Sequence, residues 1–278
     1  MKLQSLLKIL LLAGLFIILF SPTYSPLFER FTERDSYYSH GFLIPFVSLY
    51  LVWQKRKTLQ KIPLKPEPLG VFVIISGVSL HLINTLLKIN FSSYIAIPVV
   101  ILGIALYLGG KKLTRELIFP IAFLIFMLPL PKVLMIGITF KLKILATQAS
   151  NFAANCIGIE AQRVGSTIYY PGGFILVGDP CSGLRSLISF LALGALFTQF
   201  TTADRWRRNV LFFSTIPIAL LSNFIRITFL VLIGYVYGRR AALGFLHEFS
   251  GIMVFVLGFL GFMAVTKILK CHLTIKDT

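Results

Sequence analysis

Cys181, Arg226 and His247 are three residues whose types suit acyl-transfer chemistry. A thiol supplies a nucleophile, a guanidinium stabilises an oxyanion, and an imidazole carries a proton between attacking and leaving groups. Each falls in or beside a different apolar segment, so three separate helices must converge before the residues can act together.

In GDPCSGLRSLISF, Asp179 suits an N-cap and Pro180 the first helical position, which predicts Cys181 in the first turn of a helix. The partial positive charge at a helix N-terminus favours a thiolate. Arg185, four residues on, shares that face and adds to the effect. The same pattern also suits a small buried thiol beside an interfacial arginine. Arg226 lies inside a long apolar segment, where an arginine at the bilayer centre costs about 2.5–3.5 kcal/mol on insertion scales. A place nearer the outer end lets it snorkel. Asn223, three residues earlier, faces the same way. The alternative to an oxyanion role is an ion pair with Asp179 or Glu248. His247 opens the last apolar segment and suits a general acid/base. A lone interfacial histidine is more often incidental, and His40 is a rival on the same side of the membrane.

The elements that must position these residues are membrane helices. Of the 278 residues 56% are hydrophobic and 13% charged, with mean hydropathy +0.85, against about 25% charged residues in soluble domains. The excess of 27 Lys and Arg over 10 Asp and Glu fits basic cytoplasmic loops rather than a nucleic-acid partner. The three cysteines form no CxxC or Cys/His metal spacing, so neither a metal nor a cofactor is expected. The N-terminal LLLAGLFIILF follows Lys2 and Lys8 like a signal peptide, but SPTYS is a poor cleavage site, so it reads as an uncleaved span.

The expected fold is an all-α polytopic membrane protein, a single domain over 1–278, with about eight spans. These are 6–22, 41–54, 69–87, 92–110, 116–135, 182–200, 209–236 and 248–269. Before the sixth span, residues 136–180 first show helical alternation, which suits an interfacial or re-entrant helix. Two β-rich runs around Pro171-Gly172-Gly173 then read as a hairpin. The basic loops Lys55-Arg56-Lys57, Lys111-Lys112 and Arg205 to Arg208 set both termini inside, with Cys181 and His247 at outer helix ends.

These residues resemble the exosortase/archaeosortase family of integral-membrane cysteine transpeptidases. The likeness is carried by CSGLRSLI at 181–188, NFIRI at 223–227 and His247 at the head of the last span. The segment DSYYSHGFLIPFVSLYLVWQKRK at 35–57, FMLPLPK at 126–132 and GSTIYYPGGFILVGDPCSGLR extend it through most of the chain. The resemblance implies Cys181, Arg226 and His247 as the catalytic set. It also implies a thioester acyl-enzyme and the processing of C-terminal sorting signals of exported, membrane-anchored proteins, as in PEP-CTERM proteins. Members are often linked to exopolysaccharide production and surface display. The competing reading is a transporter or export-accessory membrane protein, with Arg226 in a substrate pathway or paired with a partner. The sequence shows no repeated halves or matching interrupted spans of the kind transporters carry.

Overall fold

The computed structural model describes residues 3–33 and 36–273 and is 78% helical, with a small three-stranded sheet. It is an all-α polytopic membrane protein. Among the described residues, six helices are long and apolar enough to cross a membrane, or seven if a bent pair at the N-terminus is one span. The chain divides into two compact units, 1–130 and 131–277.

In the first unit, α1 (Leu3–Leu19) and α2 (Ser21–Thr32) meet at a 66° bend. Pro22 sits in the first turn of α2, where its missing N–H suits a helix start and prevents the ladder from running on. Phe20 is fully buried at the bend against the His81 ring, and His81 Nε2 lies 2.9 Å from the Leu19 carbonyl oxygen.

The predicted span 41–54 forms a 3-10 turn, Ser39–Phe42, and an 11-residue helix, α3 (Ile44–Gln54). That length falls short of the roughly 20 residues a span needs. The short α4 (Arg56–Gln60) follows, then α5 (Leu69–Leu86) and the 34-residue α6 (Asn90–Phe123).

Gly70, Gly77 and Gly103 let α5 and the first arm of α6 pack backbone to backbone: a Cβ on Gly77 would lie 2.6 Å from Val100, and one on Gly103 2.8 Å from Ile74. Gly110, with φ 77°, breaks α6 into two arms. A cavity of about 330 Å³ is lined by Phe91, Ile95 and Leu102 from one arm, by Ile118 and Ile121 from the other, and by Ile125 of the 3-10 turn that follows, Leu124–Met127. A straight helix would hold Phe91 and Ile125 about 50 Å apart, so the arms fold back on each other. This agrees with the separate segments expected at 92–110 and 116–135.

Pro120 gives the second arm a carbonyl without its helical donor, that of Glu116. Lys55 Nζ fills the gap, donating to Glu116 O at 3.0 Å and pairing with its carboxylate at 2.9 Å.

In the second unit, α7 (Lys132–Cys156) is longer than the interfacial helix expected there and meets the length and composition of a span. Lys141 and Lys143 lie near its middle, however, and Lys143 reaches a polar turn, as described below. Three antiparallel strands follow: β1 (Gln162–Val164), β2 (Thr167–Tyr170) and β3 (Gly173–Leu176), in the order β1-β2-β3. The expected hairpin is β2–β3. Tyr170 pairs with Gly173 across Pro171-Gly172, and Gly172 has φ 91°, the arrangement of a type II turn. Strand β1 is an addition that no alternation in its three residues announced.

Beyond a 3-10 turn, Asp179–Cys181, come α8 (Leu184–Gln199) and the two-residue β4 (Thr201–Thr202). Then follow α9 (Arg205–Tyr237), the short α10 (Arg239–Leu243) and α11 (Phe245–Ile268). Strand β5 (His272–Leu273) pairs with β4. Gly194 of α8 meets Thr215 of α9, and Gly258 of α11 meets Phe190 of α8. The sheet packs its inner face, Ile168, Tyr170 and Ile175, into a core shared with Ile227, Leu230 and Val231 of α9 and with Cys181.

Candidate active site

Cys181 ends the 3-10 turn that joins the sheet to α8, and its side chain is buried. This differs from a place in the first turn of α8. Asp179 and Pro180 do start a helical turn, but Gly183 takes φ 88° and becomes the N-cap of a helix that begins at Leu184. The thiol therefore stands just before the helix, and Arg185 is the second residue within it rather than one full turn from Cys181.

Two hydrogen bonds at the Cys181 backbone help to hold this turn. The Cys181 amide donates to Gly178 O at 3.0 Å, and Asn223 Nδ2 of α9 donates to Cys181 O at 3.0 Å. Asn223 is almost completely buried, so it makes this bond in a dry site where an unmet carbonyl would be costly. Gly183 matters here twice. Its φ is one that L-residues with a Cβ rarely adopt, and an added Cβ would lie 2.9 Å from Asn223 Nδ2. Gly183→Ala is expected to displace the turn, at about 1–2 kcal/mol for the left-handed backbone alone. It should lower any activity that depends on Cys181 more than membrane yield, which comparing the two readouts on one preparation would check.

From the other side, Lys143 of α7 pairs with Asp179 at 2.8 Å. Asp179 thus has a lysine partner, whereas the contact given for Arg226 is with Ser250, described next. Asp179 is largely exposed, so the pair contributes little to stability and serves mainly to orient the turn.

Arg226 follows Asn223 by one turn on α9, about 4.5 Å along the axis, on the same face. Its Nε donates to Ser250 Oγ of α11 at 2.9 Å, and Ser250 is fully buried. Asn223 and Arg226 thus tie α9 to both neighbours, one through the Cys181 turn and the other through α11. His247 lies in the first turn of α11, three residues before Ser250; its side chain, like that of Glu248, lies outside the described residues.

The other candidates are placed as follows. Arg185 is partly buried at the start of α8, with Nε and Nη2 inside the protein. His40 belongs to the first unit, in the 3-10 turn before α3, stacked 6.2 Å from Tyr38. Burial pushes its pKa below the usual histidine value, partly offset by a hydrogen bond to the Phe126 backbone. Among the described residues no group of three His, Cys, Asp or Glu is placed to hold a metal ion.

Sequence reasoning missed Ser250, Lys143 and the role of Gly183. Ser250 had a usable signal, since it lies one helical turn from His247, but nothing singled it out among the chain's hydroxyls.

Fold and site together define a polytopic membrane protein in which the Cys181 turn is tied to Asn223 of α9, three residues before Arg226. The family model described as Transmembrane exosortase (Exosortase_EpsH) matches residues 32–264, and the chain belongs to that family. Exosortases are membrane-embedded sorting proteases and transpeptidases that act on secreted proteins. No curated protein and no solved structure matches the chain.

Proposed function

We propose that the chain is a cysteine protease/transpeptidase of the cell membrane that cleaves C-terminal sorting signals of the PEP-CTERM kind from exported proteins through a thioester acyl-enzyme. The observation that carries this reading is the pair of bonds from one face of α9: Asn223 to the Cys181 carbonyl, and Arg226 to Ser250. They tie the turn that carries the buried thiol to Asn223 of α9, three residues before the anchored guanidinium of Arg226.

In this reading the Cys181 thiolate attacks the carbonyl at the sorting motif and forms a carbon–sulfur bond. The carbonyl π electrons move onto oxygen, and the oxyanion faces the guanidinium of Arg226. Anchoring through Nε fixes the plane of that group, and its two terminal nitrogens carry the remaining donors. His247 accepts the thiol proton and returns it to the leaving amine as the carbon–nitrogen bond breaks. An amine or water then attacks the thioester and regenerates the thiol. Arg185 favours the thiolate by its charge, and Asn223 positions the turn. No metal or cofactor enters any step.

Loop charges support both termini in the cytoplasm and the site toward the outer face, because Lys55-Arg56-Lys57, Lys111-Lys112 and Arg205 to Arg208 favour the inside. The family match spans both compact units, which supports treating them as one exosortase-like membrane domain.

The test is co-expression with a tagged reporter that carries a PEP-CTERM-type sorting segment, an apolar span and a basic tail. Cysteine-dependent loss of the tail is the expected result. Asn223→Ala strips the donor from a buried carbonyl, a loss of about 1–3 kcal/mol. It should both lower the unfolding temperature in detergent and slow processing, and an unchanged rate would remove Asn223 from the positioning role.

A further inference from the structure

Strand β3 is an edge strand that leads straight into the Cys181 turn. Its register tells which backbone groups face outward. Val177 N donates to Ser166 O at 2.9 Å, and the pairs Ile168–Ile175 and Tyr170–Gly173 continue at two-residue spacing. In an antiparallel ladder these alternate pairs exchange both hydrogen bonds, so the residues between them, Phe174 and Leu176, turn N–H and C=O away from β2. Among the described residues no hydrogen bond reaches those outward groups.

The side chains divide the same way. Ile175 is buried in the core, whereas Leu176 is 59% exposed and Phe174 lies 5.7 Å from the exposed Tyr169 ring. The Arg239 guanidinium covers the other approach to Phe174, 4.0 Å above its ring. An edge of two donors and two acceptors, flanked by an apolar and aromatic surface, is what an extended peptide needs to add itself as a strand.

Resting on the cysteine reading above, we propose that the β3 edge is the substrate-binding strand. The stretch of the sorting signal just before the cleaved bond pairs in extended form with Phe174 and Leu176. Chain continuity then fixes the distance to the nucleophile, because Val177 to Pro180 is all that separates Leu176 from Cys181. The backbone supplies grip without regard to sequence, and alternate substrate side chains lie over Leu176, Phe174 and Tyr169, where apolar groups fit best.

Two measurements on the full-length protein in membranes test this, using a PEP-CTERM-type reporter. Leu176→Pro removes an outward N–H and spares the ladder bonds, whereas Leu176→Ala keeps the N–H and removes only the side chain. The proline variant should process the reporter about tenfold more slowly than the alanine variant, which keeps the N–H and loses only the side-chain contact. Equal rates for the two variants overturn the proposal.

The second measurement does not depend on how well the proline variant folds. In a Cys181→Ala background, Leu176→Cys should form disulfides with single cysteines placed along the reporter's sorting segment, strong at every second position. Crosslinking absent or even along the segment, with a parent that cleaves through Cys181, overturns the edge and leaves the cysteine mechanism standing. Processing that persists in Cys181→Ala overturns both.

Discussion

Cys181→Ala is expected to reduce reporter processing to background, a loss of at least about a thousandfold, while the protein still accumulates in the membrane. The substitution removes one sulfur from a site whose backbone is held independently, by Asn223 on the carbonyl and Gly178 on the amide. The turn therefore keeps its shape when the nucleophile is gone. Cys181→Ser should be nearly as inactive, because a serine hydroxyl ionises far less readily than a thiol in the same place. Immunoblots of the reporter tail and of the enzyme itself, from one membrane fraction, read both quantities. Processing at the parent rate in either variant would contradict a covalent role for Cys181.

Arg226→Lys is expected to cost about a hundredfold or more in rate, although it preserves the charge. In the proposed mechanism Arg226 acts by geometry, since its Nε donates to Ser250 and that bond orients the planar fork. A lysine offers one flexible ammonium that cannot both hold Ser250 and meet an oxyanion in a fixed plane. If the charge alone mattered, as in an accessory protein pairing with a partner, the lysine variant would behave almost as the parent. Ser250→Ala separates the two further. It leaves the guanidinium in place but removes its anchor, and it should fall between parent and Arg226→Lys in a single-turnover assay.

The particular elements show why some of this was readable from sequence. The hairpin at Pro171-Gly172 was legible because a type II turn asks for proline and then glycine, a local requirement. Asn223 and Arg226 were legible as a pair because a three-residue interval on a helix puts two polar groups on one face. The start of α8 was not. Asp179-Pro180 is a genuine helix-start signal, and the structure uses it for one 3-10 turn before Gly183 resets the chain. Asn223, 40 residues later, leaves no room for a Cβ at Gly183, and no local pattern announces that.

Three further outcomes departed from the sequence reading. The helical alternation in 140–159 was visible, but the extension of α7 back to Lys132 follows from Pro131, which closes the preceding segment. Lys143 looked like one more basic residue until the fold set it 2.8 Å from Asp179. The segment 41–54 was apolar enough to suggest a span, yet the turn at Ser39–Phe42 uses up its first residues. Periodicity and turn chemistry are local, whereas tethers between elements are set only by packing.

The claim at the centre of this account is that the substrate passes through a thioester on Cys181. Adding hydroxylamine to membranes that hold the enzyme and reporter tests it most directly, because hydroxylamine attacks thioesters far faster than amides. The account predicts a reporter released with a C-terminal hydroxamate, detected by mass spectrometry, rising with hydroxylamine and absent with Cys181→Ala. A cleaved reporter bearing only a carboxylate at every hydroxylamine concentration would contradict it.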